Sequence, residues 1–148
     1  NQGYTIAWAS DVSEKGFTRN GIAVNPETKL EKLPGSDQAK WLNISPKEME
    51  EKIYKIQGPQ TEVQVTQESR QRGFDNYQTT DDHGMLIYGI ANDQNGTKYY
   101  LVKNSWGTDN KYKGIWYASE SFVKDKTINI LVHKNAIPKE IRSKLGIK

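Results

Sequence analysis

Residues 83–104 read HGMLIYGIANDQNGTKYYLVKN. Two runs rich in β-branched and aromatic residues flank Asp93-Gln94-Asn95-Gly96, and an Asn-Gly pair between such runs is the strongest short-range signal for a hairpin. His83 to Ala91 is therefore expected to form one strand and Thr97 to Lys103 its return. His83 stands at the start of the first and Asn104 just past the end of the second, at comparable distances from the turn. Antiparallel pairing then carries both to the same end of the ribbon.

That placement has a chemical use. An amide oxygen accepting from one imidazole nitrogen fixes the tautomer and presents the other nitrogen to a nucleophile. Trp106, two residues beyond Asn104, is placed to lay its indole over the His–Asn bond and exclude water, which strengthens it. A lone histidine on a strand is more often a satisfied structural residue than a base. A lone Asn104-Ser105-Trp106-Gly107 reads equally well as a turn with an anchoring tryptophan. The two in order, joined by one hairpin, point to a working pair.

Outward from the hairpin, the residues from Tyr4 to Ala9 read as a buried strand. Scattered Gly, Pro and Asn from Asp11 to Asp37 read as a long surface excursion. Ser45-Pro46-Lys47-Glu48 is a capping box with proline at the first helical position, so a helix should start at Pro46. Met49, Ile53 and Ile56 recur on one of its faces, and Gly58-Pro59 stops it. A second short helix is expected from Gln67 to Asp75 with Thr66 as its cap. Gly114 to Ala118 and Thr127 to Val132 supply two further strands, and Pro138 to Leu145 a final helix stopped by Gly146. Five strands with helices toward the two ends describe an α+β domain on an antiparallel sheet.

The length of 148 residues suits one domain with a real core. A hydrophobic share of 34% and a mean hydropathy of −0.85 are polar for a self-sufficient domain and leave room for a partner that completes the core. The aromatic share of 10% argues against disorder. The net charge of +3 comes from 21 basic and 18 acidic side chains with the signs interspersed. The C-terminal stretch from Lys124 to Lys148 is more basic but lacks a Lys/Arg stripe with interleaved aromatics, so no nucleic-acid partner is expected. No apolar run approaches the roughly 18 residues of a membrane span. There is no cysteine, hence no disulfide and no thiolate ligand, and the two histidines are far apart. No metal and no other cofactor is expected. The only methionines are Met49 and Met85, so Asn1 is not a translation start, and the chain is expected to be a fragment.

Other candidates carry less. Asp81 and Asp82 are adjacent on a strand and point to opposite faces, which rules against shared proton work. His133 has no partner signal. Ser105 lacks the strand–turn–helix context of a hydrolase nucleophile. Asn43-Ile44-Ser45 and Asn95-Gly96-Thr97 match glycosylation acceptors, but turn chemistry is the better reading.

The histidine followed by Asn-Ser-Trp-Gly resembles the active site of papain-like cysteine peptidases. Phe74-Asp75-Asn76-Tyr77 leading to Asp82-His83-Gly84 narrows the likeness to one branch, as do Tyr4 to Trp8, Asp11 to Phe17, Gly114-Ile115-Trp116-Tyr117 and Asn129 to Val132. The chain resembles, nearly from end to end, the C-terminal part of a bacterial-type member of the bleomycin hydrolase and aminopeptidase C family. The resemblance implies an α+β papain-like fold of which residues 1–148 are mainly the right-hand, antiparallel β-barrel-like lobe with flanking helices. It implies that His83 is the general base, Asn104 its orienting residue and Trp106 their shield, with Asp82 and Gly84 lining the substrate cleft. It further implies a C-terminal arm, residues 144–148, whose carboxylate on Lys148 meets the substrate's amine. The nucleophilic cysteine and the oxyanion-hole glutamine would lie on an N-terminal part. That part and a peptide are the expected partners, the intact enzyme is expected to be a homo-hexamer, and the compartment implied is the cytoplasm.

Three readings of function follow. The first is a cysteine aminopeptidase portion, inactive without its cysteine-bearing part. The second is a cysteine-free binding or regulatory module on a peptidase scaffold. The third, a serine hydrolase using Ser105, has the least support.

Overall fold

The structure, a computed structural model, describes residues 3–147. Six strands form one sheet: β1 (Ile6–Ser10), β2 (Ile22–Ala23), β3 (His83–Asn92), β4 (Lys98–Lys103), β5 (Ile115–Ser119) and β6 (Thr127–Val132), in the order β2-β5-β4-β3-β1-β6. Five helices accompany it: α1 (Gly35–Trp41), α2 (Pro46–Tyr54), α3 (Gln67–Asp75), α4 (Glu120–Lys126) and α5 (Lys139–Leu145). The architecture is α+β, as the pattern of strands and helices implies.

The hairpin forms about the expected turn, with Asp93 Oδ1 accepting from the amides of Asn95 and Thr97 at 2.8 and 2.9 Å. Its ladder runs from Leu86↔Lys103 to Asn92↔Lys98 and slips by one residue between Ile87 and Gly89. The slip leaves Tyr88 as the extra residue of a bulge. β5 extends the hairpin antiparallel, with Val102 opposite Trp116. β1 lies on the other side of β3, pairing Trp8 with Met85 and Ser10 with His83.

Alternate residues share a face. Trp8, Met85, Ile87, Val102, Trp116 and Ala118 point to one side and are buried with Phe17, Ala23 and Phe122. Tyr99 and Ile22 point to the other and meet Val24, Leu33, Trp41, Ile53 and Ile56. Burying a large apolar side chain contributes about 1.5–3 kcal/mol. The two layers therefore make the sheet the rigid platform of the domain.

The helix caps follow the sequence. Ser45 and Glu48 form the capping box of α2, and Thr66 with Ser69 forms that of α3. Gly146, at φ 64°, ends α5 in the left-handed conformation that favours glycine.

Three expectations are corrected. The stretch from Asp11 to Asp37 is no surface excursion: Phe17, Ile22, Ala23, Val24 and Leu33 are all buried. Its one strand, β2, has two residues, too few for any periodicity to register, and pairs parallel to β5, so the sheet has six strands and is not wholly antiparallel. Gly16 permits the close approach that brings this segment inside: its carbonyl accepts from Val24 N–H at 3.0 Å, where a Cβ would stand 1.9 Å from the Val24 carbonyl oxygen. Helix α1 was not expected either, and neither was α4. Ser119 caps it by accepting from Phe122 N–H at 3.1 Å, and its inward face is little more than Phe122 and Val123. A single apolar step does not announce a helix.

Candidate active site

His83 opens β3 and Asn104 follows β4 directly. Both continue the alternation of one sheet face, His83 with Met85 and Ile87, Asn104 with Val102. The ladder between the two strands ends at Leu86↔Lys103, and the side chains close the gap beyond it. His83 Nε2 lies 2.7 Å from Asn104 Oδ1. The same oxygen accepts from Ser105 N–H at 2.7 Å. A backbone amide only donates, so the atom it meets is the amide's oxygen and not its nitrogen. Nε2 must then carry the proton, and Nδ1 of the neutral ring holds the lone pair.

Asn104 is itself fixed. It is buried, and its N–H donates to the Gly114 carbonyl at 3.1 Å. Asn110 closes the loop from inside, accepting from Gly114 N–H at 2.8 Å and donating to the Ile115 carbonyl at 3.1 Å. Gly114 has φ +84°, and a Cβ there would come within 2.6 Å of the Gly107 carbonyl oxygen. Asn104 Nδ2 is buried with no hydrogen-bond partner among the described residues.

Trp106 lies against the imidazole, with ring centroids 5.0 Å apart and planes 31° from parallel. Its other contacts are edge-on, with Phe17 at 5.6 Å and Trp116 at 5.7 Å. Two core rings thus hold the indole where it covers the histidine. It stays 46% exposed, so it covers only one side of the pair.

Of the other residues singled out in the sequence, Gly84 is exposed with open space where a Cβ would sit. Lys148 lies outside the described residues. Asp82 turns back onto the protein: Oδ1 accepts from Val12 N–H at 2.9 Å, and Oδ2 from Ser13 N–H at 3.1 Å and from the Ser13 hydroxyl. Burial pushes its pKa up, but these hydrogen bonds outweigh it and hold the carboxyl below the usual range. Ser105 contributes its backbone amide. His133 is remote from the pair in sequence and stacks on Tyr4 at 5.2 Å. No cluster of potential metal ligands exists among the described residues, nor does any helix long and apolar enough to cross a membrane.

Sequence reasoning missed Asp11, which is 4% exposed and accepts from Ser13 N–H at 3.0 Å and Thr80 N–H at 2.9 Å. It also missed Phe17 and Trp116 as supports of Trp106. The available signal was Ser10-Asp11-Val12-Ser13, an Asx-turn pattern next to a predicted strand end.

Comparison with known proteins bears on this arrangement. The model of the Peptidase C1-like family matches residues 33–147. Aminopeptidase G of Lactobacillus delbrueckii subsp. lactis is 29% identical over 58 residues, 39% of this chain and 13% of that protein. Mitochondrial cysteine proteinase 1 of Saccharomyces cerevisiae is 34% identical over 64 residues, 42% of this chain and 13% of that protein. The crystal structure of PepW from Lactobacillus rhamnosis superposes with a TM-score of 0.56 at 17% identity, covering 96% of this chain and 26% of the PepW chain. That likeness shows the shared papain-like fold. The matched stretches are thus a minor part of each relative.

Proposed function

The chain belongs to the Peptidase C1-like family, in the bleomycin hydrolase and aminopeptidase C branch, and from that premise we propose that it is the C-terminal, histidine- and asparagine-bearing portion of a cysteine aminopeptidase. The observation that carries this reading is the bond between His83 Nε2 and Asn104 Oδ1, which leaves Nδ1 to act on a thiol. The chain has no cysteine of its own, so the nucleophile comes from an N-terminal part, and the chain alone is inactive.

In the completed site, His83 Nδ1 takes the thiol proton and the thiolate attacks the peptide carbonyl carbon. Asn104 keeps the resulting imidazolium aligned. As the C–N bond breaks, the Nδ1 proton passes to the leaving amine and an acyl thioester remains. His83 then draws a proton from water, which attacks the thioester; the acid departs and the thiol reforms. Gly84, exposed at the mouth of the pair, lets a peptide approach closely. The intact enzyme is a cytoplasmic homo-hexamer on this reading.

Co-expression with the cysteine-bearing N-terminal part tests the proposal. Hydrolysis of an aminoacyl fluorogenic substrate should appear only when both parts are present, and a thiol alkylator should abolish it. Turnover by the chain alone that survives the alkylator would overturn the proposal. So would a complex of both parts that is inactive.

A further inference from the structure

His83 is supported from one side. The β4 ladder begins at Leu86, so residues 83–85 pair only with β1, and the last of these pairs is Ser10↔His83. Strand ends fray at such a point. Immediately past it stand two carboxylates, Asp11 and Asp82, that tie the outgoing and incoming chains together.

Asp11 is the more deeply placed. Its Oδ1 accepts from Ser13 N–H at 3.0 Å, and its Oδ2 accepts from Thr80 N–H at 2.9 Å and faces the Thr80 hydroxyl at 3.5 Å. Its own N–H donates to the Lys126 carbonyl at 3.0 Å, which anchors it to the end of α4. Ser13 N–H is shared with Asp82, so one amide joins both carboxylates. Thr79, one residue earlier, is buried and donates to the Gly73 carbonyl at 3.0 Å. The segment entering His83 is therefore held at Thr79 by α3, at Thr80 by Asp11 and at Asp82 by residues 12 and 13. The Asp11 link is the one made by a buried charge on β1's own extension.

We propose that Asp11 is a positioning residue for His83: through Thr80 and Ser13 it fixes the direction from which the imidazole reaches Asn104, keeping Nε2 on the amide oxygen and Nδ1 aimed at the nucleophile. The proposal rests on the reading of His83 as the base. A displacement of about 1 Å at a reacting group costs on the order of 100-fold in rate, so a clamp at an otherwise one-sided strand end has a function beyond holding a loop.

Asp11→Asn is nearly isosteric but offers one acceptor oxygen where two amides need one each, and turns an NH2 toward the other. In the ¹⁵N-labelled 148-residue chain at alkaline pH, the variant should lose more than half of the Nε2-protonated tautomer of His83 and of the ring-current shift that Trp106 imposes on it. The ring signals of His133 should stay in place. Ser45→Ala, which removes the cap of α2, controls for general loss of stability and should leave His83 unmoved. If Asp11→Asn does not fold, Thr80→Pro deletes one of the two amides and keeps the carboxylate, with the same shifts expected. An unchanged His83 in a variant whose Ser13 or Thr80 environment has changed would overturn the proposal, and so would an equal response to Ser45→Ala. This readout requires neither thiol nor substrate, so its failure is distinct from an inactive reconstituted enzyme.

Discussion

His83 and Asn104 meet at 2.7 Å in a place where the two strands that carry them no longer pair. Their contact is made by side chains alone, beyond the last rung at Leu86↔Lys103, with Ser105 N–H and Trp106 arranged around it. Neither residue is locked by the sheet ladder on both sides, so the site depends on the loops that flank it.

The first prediction concerns the pair itself. In the reconstituted enzyme, His83→Ala should lower kcat by about 10²–10⁴-fold, the usual contribution of a general acid–base group. Asn104→Ala should lower it less, since the base remains but is no longer oriented. Steady-state kinetics of the two variants checks this, and an Asn104 effect exceeding that of His83 would contradict it.

Gly114→Ala tests the loop behind Asn104. The residue sits at φ +84° with the Gly107 carbonyl oxygen 2.6 Å from any Cβ. Its carbonyl holds Asn104 N–H. Strain of this kind costs about 1–3 kcal/mol. A urea melt should show that loss, and the Asn104 amide resonance should move with it. A variant as stable as the parent would count against the described loop.

Glu62 gives a pH dependence of opposite sense to the usual carboxylate. Burial pushes its pKa up, with hydrogen bonds from the Ser119 hydroxyl and Asn25 N–H only partly offsetting the rise. A folded-state value above the unfolded one contributes stability that is complete below the unfolded pKa and lost as pH rises through the folded one. Glu62→Gln keeps an oxygen for both donors and removes the buried charge. Its urea midpoint should equal or exceed the parent's at neutral pH, with the gap closing on acidification; a gap that widens on acidification would refute the assignment.

Asp82 behaves in the reverse direction. Burial raises its pKa, but hydrogen bonds from the Ser13 hydroxyl and the Val12 and Ser13 amides prevail and lower it. The clamp it makes should be intact above the ordinary carboxylate range and be lost as pH falls through the depressed value. Ser13→Ala should move the titration of Asp82, followed by carboxyl ¹³C NMR, back toward the ordinary value. An unmoved titration would show that the hydroxyl contributes nothing.

Where the sequence carried a strong local signal, it was readable. The Asn95-Gly96 turn, the Ser45–Glu48 box and the Thr66 cap each act within a few residues, and they placed β3, β4, α2 and α3. The pairing of His83 with Asn104 was legible because a hairpin makes two distant residues neighbours. The tautomer was not, because it depends on Ser105 N–H marking which end of the amide is oxygen. The burial of the stretch from Phe17 to Val24 was hidden because its contacts are long-range: Trp116 Nε1 donates to the Thr18 carbonyl at 2.8 Å across most of the chain. The contacts of the Asp82 carboxylate with Val12 and Ser13 were hidden for the same reason, since they join residues about 70 apart that no spacing relates.

The account turns on which ring nitrogen of His83 holds the proton. ¹⁵N NMR of the selectively labelled chain at alkaline pH measures this directly. The Nε2-protonated tautomer should dominate, its proton shifted downfield by the bond to Asn104, with Nδ1 showing the resonance of an unprotonated nitrogen. A dominant Nδ1-protonated ring would put the lone pair on Nε2, facing Asn104, leave none on Nδ1 for a thiol proton, and contradict the assignment of His83 as the base.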